Sequence, residues 1–91
     1  MSVNIGGIEF EHASYYAEGD ALYVHTGDPR DAVDWDESAE GDGLRYGADG
    51  RLVGATILNA RKRFERDGKL VLTLPEQRLV ATDLGDALAA A

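Results

Sequence analysis

Residues 43–58 constrain the fold of this chain more than any other stretch. They read Gly-Leu-Arg-Tyr-Gly-Ala-Asp-Gly-Arg-Leu-Val-Gly-Ala-Thr-Ile-Leu, two apolar runs on either side of Ala48-Asp49-Gly50. A three-residue loop ending in Gly is the pattern of a type I turn closed by a left-handed residue, a conformation that Gly enters without steric cost. With Gly47 opposite Arg51, Tyr46 faces Leu52 and Leu44 faces Gly54 on one side of a hairpin. Val53, Ala55 and Ile57 line the other side of the second strand, the most β-prone stretch of the chain. Apolar residues on both sides predict a strand covered on both faces and central in its sheet.

The rest of the chain supplies partners for that hairpin. Residues 1–7 read as a loose lead-in with a flexible Gly6-Gly7 pair. Residues 8–16 alternate as one strand, residues 17–20 form a turn, and residues 21–26 return. This loop sets Leu22 and Val24 beside Tyr15 and Ala13, opposite the side that holds Ile8 and Phe10. A bulge near residues 12–14 is expected to switch the side. Residues 27–42 are acid-dense and irregular, although Ala32, Val33 and Trp35 fit a short edge strand whose outward charges block further pairing. Trp35 has two readings: a clamp holding the loop on the core, which is favoured, or an anchor for a partner.

Asn59 is the expected N-cap of a short helix over residues 59–66, where Ala60 and Phe64 share a face and Asp67-Gly68 ends the run. Strands over 69–74 and 78–81 flank the turn Pro75-Glu76-Gln77. Thr82 then caps a closing helix whose stripe is Leu84, Ala87, Leu88 and Ala91. The predicted class is α+β: a small antiparallel sheet of about five or six strands in a hairpin meander, with a short C-terminal helix, in one domain spanning residues 1–91.

Charge is distributed unevenly. The net charge is −8, but residues 1–50 hold twelve acids against only Arg30 and Arg45, while residues 51–91 hold five acids against seven bases. An acidic first half disfavours nucleic acid and anionic membranes and favours basic partners, although solubility alone also accounts for it. The absence of Cys excludes disulfides, thiolate catalysis and Cys-ligated zinc. There is no run of 18 apolar residues and no charged-then-apolar leader, so a soluble, cytoplasmic protein with no membrane partner is expected.

Two short motifs in order, Asp20-Ala21-Leu22-Tyr23-Val24 and then Asp49-Gly50-Arg51-Leu52-Val53-Gly54 with Ile57-Leu58-Asn59-Ala60, make the chain resemble a small prokaryotic family, domain of unknown function 2283. The resemblance covers residues 14–63. It implies a small β-rich domain without an established activity, in a family some of whose members are suspected antitoxins of small ribonuclease-like toxins. That family tends to carry acids at the positions of Tyr16, Arg45, Gly47 and Thr56. None is acidic here, so any site those acids build in relatives is missing.

Three constellations could carry chemistry. Asp34, Asp36, Ser38, Glu40 and Asp42 alternate like a calcium loop. Ala39 and Arg45 stand where such a loop needs Gly and a bidentate Glu, so a solvated loop is the simpler reading and no metal is expected. His12 and His25 face each other across the first hairpin and could hold a transition metal with Glu11 or Asp28, or act as an acid–base pair. Arg61, Lys62, Arg63, Arg66 and Lys69 form a basic cluster beside Phe64 that could contact phosphates and stack on a base. No nucleophile motif or phosphate-cradling glycine loop is present, and no cofactor or catalytic residue is assigned.

The reading that combines these features is a non-enzymatic interaction module, the antitoxin-like partner of a basic, toxin-like protein, with Asp34, Trp35, Asp36 and Glu37 as the contact residues. The alternatives are a small metal-dependent or acid–base enzyme using His12 and His25, and a nucleic-acid contact through residues 61–69. Two apolar faces on the central strand further predict a homodimer that buries a sheet face or the C-terminal helix stripe.

Overall fold

The computed structural model describes residues 2–89. Strands β1 (Val3–Ile5) and β2 (Ile8–Phe10) make one hairpin. Strands β3 (His12–Tyr16), β4 (Ala21–His25), β5 (Asp34–Glu37), β6 (Gly43–Tyr46) and β7 (Leu52–Leu58) form an antiparallel sheet in the order β3-β4-β7-β6-β5. Helix α1 (Ala60–Asp67) follows, then the hairpin of β8 (Leu70–Thr73) and β9 (Arg78–Ala81), and helix α2 (Gly85–Ala89). The class is α+β, but the strands fall into a five-stranded sheet and two separate hairpins rather than one meander.

The central hairpin forms as its sequence implies, with one difference. Gly50 has φ +81°, Gly47 N donates to Arg51 O (2.9 Å), and Tyr46 pairs with Leu52. One residue further the register shifts: Arg45 pairs with Gly54 and Leu44 with Ala55, which leaves Val53 as an unpaired bulge. A bulge reverses the alternation, so Leu52, Ala55 and Ile57 all reach the same core with Leu44, Leu22 and Val24. Strand β7 is therefore central, but its buried apolar side chains Leu52, Ala55 and Ile57 serve one face, while Leu58 stands exposed on the other.

The N-terminal segment is a strand, not a loose lead-in. Val3, Ile5 and Phe10 are buried, and Gly6 (φ +61°) and Gly7 (φ +92°) form the tight turn between β1 and β2. The expected bulge at residues 12–14 is instead a break at Glu11, where the chain leaves the first hairpin for the large sheet. The Glu11 carboxylate fixes that break by accepting from Thr26 Oγ1 and Gly27 N, both at 2.8 Å. Those donors hold its carboxyl below the usual range: the Gly27 amide first, then the Thr26 hydroxyl.

The core lies between one face of the large sheet and a second layer made of the two hairpins and α2. Leu70, Leu72, Leu79 and Ala81 line the inward face of β8–β9, as the alternation of those strands requires. Helix α2 begins at Gly85, three residues beyond Thr82, and Leu84, Ala87 and Leu88 are all buried. The fourth residue expected in that stripe, Ala91, lies outside the described residues. Leu84, Ala87 and Leu88 are thus already used within the molecule and offer no surface for a second copy.

Helix α1 depends on a distant carboxylate. Asn59 occupies the N-cap in the left-handed conformation (φ 54°) but makes no side-chain cap bond. Asp20, in the β3–β4 turn and also left-handed (φ 50°), caps the helix instead. Its Oδ1 accepts from Arg61 N (2.8 Å) and Tyr15 Oη (2.8 Å), its Oδ2 from Lys62 N (3.2 Å), and its backbone carbonyl from Ala60 N (3.1 Å). Both ends of the recognised motif, Asp20 and Asn59-Ala60, thus meet at this joint.

A second joint is buried beneath the sheet edge. Asp42 is fully buried, and its Oδ1 accepts from Arg63 Nη1 (2.7 Å) and Leu58 N (3.2 Å), its Oδ2 from Arg63 Nη2 (3.3 Å) and Ser38 Oγ (2.9 Å). Arg63 also donates to Leu58 O and Val71 O. Glu40 takes Thr73 N (2.7 Å) and Thr73 Oγ1 (2.6 Å). Glu40 and Asp42, two acids of the calcium-like pattern, are therefore structural ties. Among the described residues no group of three or more His, Asp or Glu side chains is arranged to hold a metal ion.

Candidate interaction surface

Strand β5 is the free edge of the large sheet, and all four of its residues are exposed. It starts two residues later than Ala32, with a 3₁₀ turn at Pro29–Asp31 before it. Ser38 N donates to Asp42 O, and alternation along an antiparallel pair then turns the Trp35 and Glu37 amides away from β6. Both outward amides are satisfied by the preceding side chain: Trp35 N by Asp34 Oδ1 (2.9 Å) and Glu37 N by Asp36 Oδ1 (2.8 Å). The two aspartates thus close the edge against strand addition, the physical form of the expected charge block.

Strand alternation divides the four predicted contact residues. Asp34 and Asp36 line an open cleft of about 1030 Å³, together with Glu9, Asp49, Glu76 and the half-buried Tyr46. Burial first, then the nearby carboxylates Asp36, Glu76 and Asp34, raise the Tyr46 phenol above its ordinary pKa. Trp35 and Glu37 stand on the other side of the strand, in register with Arg45 and Gly43. Trp35 is 66% exposed, so it is not the clamp the sequence favours. A clamp needs a core to reach, and at this edge the core side of β5 is taken by the two aspartates.

The face of the large sheet opposite the core is uncovered. Its register aligns His12, His25, Gly54, Arg45 and Trp35 in one row across all five strands, and Ser14, Tyr23, Thr56, Gly43 and Glu37 in the next. Tyr16, Tyr23 and Leu58 on this face are exposed. Three of the four positions where the family resemblance leads one to expect acids, Tyr16, Arg45 and Thr56, fall here. Sequence reasoning did not pick out this row, although an Arg in a half with only two bases and a Gly inside the most β-prone strand both hinted at it.

The histidine pair forms as the hairpin register predicts, but not as a ligand set. The rings stack with centroids 4.6 Å apart and planes at 23°. Imidazole lone pairs lie in the ring plane, so those of two stacked rings run side by side and do not converge on one ion. The proposed third ligands are engaged elsewhere, Glu11 with Thr26 and Gly27, and Asp28 with Arg30 at 2.7 Å.

The basic cluster is also dispersed. Arg63 turns inward to Asp42, Arg61 pairs with Glu65 (2.9 Å) and Arg66 with Asp67 (2.9 Å), while Phe64 packs against the core instead of offering a ring to a base. Lys62 and Lys69 alone remain as exposed cations without an ion pair among the described residues of that cluster, too few to build a phosphate track.

No described helix is long and apolar enough to cross a membrane. No curated protein and no solved structure matches the chain. The model of the family described as Protein of unknown function (DUF2283) matches residues 13–61, more than half of the sequence, from Ala13 in β3 to Arg61 in α1, and the chain belongs to that family.

Proposed function

We propose that this protein is a non-enzymatic interaction module, antitoxin-like in that it covers a small, basic, ribonuclease-like protein. The observation that carries this reading is Trp35, exposed on an edge strand between two carboxylates that line an acidic cleft. Neither core packing nor strand pairing accounts for so open an indole. Trp is enriched among residues that anchor interfaces, and surrounding carboxylates steer a cationic partner toward it. The only base among the residues lining the cleft, Arg51, stands 3.9 Å from Asp49 and is largely exposed.

The test is titration against the small basic product of a neighbouring gene at two salt concentrations. Asp34→Asn, Asp36→Asn and Glu37→Gln together keep the acceptors for the edge amides while removing charge. They are expected to slow association roughly tenfold and to flatten its salt dependence. Trp35→Ala is expected to speed dissociation tenfold or more, roughly the weight of an anchoring aromatic. Variants that bind as the parent does would remove this surface from the account, and a neighbouring gene with no basic product would leave the reading on charge alone.

The uncovered sheet face, with Tyr16, Tyr23 and Leu58 exposed, supports a homodimer as part of the same reading, now through this face and not through α2. Light scattering is expected to show twice the monomer mass as concentration rises. A monomer mass throughout refutes it.

A further inference from the structure

Arg45 is half-buried at the centre of the uncovered face, and no carboxylate among the described residues stands within ion-pair distance of it. Of the other six arginines, Arg30, Arg51, Arg61, Arg63 and Arg66 each have a carboxylate within 4.0 Å, while Arg78, like Lys62 and Lys69, has none but is exposed to water. Arg45 is thus the one half-buried arginine or lysine without an ion pair among the described residues. A partly desolvated guanidinium normally acquires an anion, because the loss of hydration is otherwise uncompensated.

The surroundings hold this cation in place rather than neutralise it. Its Nη1 donates to Thr56 Oγ1 (3.1 Å), the one side-chain hydrogen bond among the described residues for a group with five N–H donors. The guanidinium closes over Gly54: a Cβ there would stand 2.9 Å from Arg45 Nε, 3.2 Å from Arg45 Nη2 and 3.2 Å from Val24 O. Any other residue at position 54 would push the side chain off the sheet, so glycine in the middle of the central strand is explained by this close approach. Beyond Gly54 in the same row stands His25, whose Nδ1 is buried without a hydrogen-bond partner, stacked on the exposed His12.

We propose that this row is a binding site for a compact oxyanion, a carboxylate or a phosphate, received by the fork of Arg45 and the neighbouring imidazole N–H groups. A planar guanidinium held in place by Thr56 through Nη1 keeps Nε and Nη2 as a pair of parallel donors for such a group, and imidazole N–H groups add donors of the same kind. Thr56 orients Arg45, and Gly54 gives it room. The site is on the opposite face of the sheet from the acidic cleft, but it shares that face with Trp35, which pairs in register with Arg45, and with the surface read above as the dimer contact. A titration with anions alone uses no basic partner, so its outcome is distinguishable from that of the basic-partner reading. A carboxylate would come from the side chain or terminus of a bound protein, a phosphate from a small phosphorylated molecule.

The test is a nuclear magnetic resonance titration of the full chain with sodium phosphate and, separately, sodium acetate, each at constant ionic strength against chloride. Saturable shifts are expected at the Gly54 and Thr56 amides and at the His25 ring, with tighter binding marking which anion is the natural source. Arg45→Gln is expected to weaken binding about tenfold or more, the weight of one charged two-point hydrogen bond. Arg45→Lys, which keeps the charge and loses the fork, is expected to weaken it as well. Shifts no different from chloride in the parent protein overturn the proposal whether or not the variants fold. Shifts that persist in Arg45→Gln also overturn it.

Discussion

Asp42→Ala is expected to lower the unfolding free energy by about 3–5 kcal/mol, the cost of breaking a buried ion pair from one side. Asp42 is fully buried and the Arg63 side chain is only 13% exposed, so removing the carboxylate leaves a guanidinium without its counter-charge away from water. It also orphans Leu58 N and leaves the Ser38 hydroxyl without its acceptor. Few substitutions in a chain of this size should cost more, because a small domain has only about 5–15 kcal/mol in total. Urea titration measures the change. The double variant Asp42→Ala with Arg63→Met removes both charges, and its cost should be well below the sum of the two single costs. Additive costs, or an Asp42→Ala cost below about 1 kcal/mol, would show that the pair is solvated and not a structural tie.

Asp20→Ala is expected to cost about 2 kcal/mol or more, since it removes the acceptor that caps α1 and the partner of Tyr15 Oη. Alanine is further disfavoured by the left-handed backbone at φ 50°. Asp20→Asn tolerates that backbone and keeps an acceptor, so it should cost clearly less. Burial alone would raise the Asp20 pKa, but the N–H of Arg61, the Tyr15 hydroxyl and the N–H of Lys62 more than offset it and bring the value below the ordinary 3.8. A depressed folded-state pKa contributes stability that is present above 3.8 and lost as pH falls through the folded value. Denaturant midpoints measured down this acid limb should fall less steeply in Asp20→Asn than in the parent. An Asp20→Ala variant as stable as Asp20→Asn would mean that Asn59, and not Asp20, starts the helix.

The sequence by itself determined the local elements. The Gly50 turn, the His12–His25 and Tyr46–Leu52 pairings, the exit of α1 at Gly68 and the span of β9 all follow from short-range signals: a glycine where φ must be positive, loop length, and alternation. The family was legible for the same reason, since its motif is contiguous. Tertiary structure alone decided which face each alternating residue serves. One unpaired residue, Val53, reverses the alternation of β7, and one bonded carboxylate, Glu11, divides what reads as a single strand between two sheets. Both events do show in the sequence as a change of side in the apolar pattern, but that pattern does not distinguish a bulge from a strand buried on two faces, or a bulge from a break between two sheets. The acids divide on the same principle. Asp20, Glu40 and Asp42 are structural because groups distant in sequence (Arg61 N, Thr73 and Arg63) arrive beside them, while Asp34 and Asp36 stay open because nothing does. A carboxylate's role is set by the donors that reach it, and those donors are brought from 21 to 41 residues away by the fold alone.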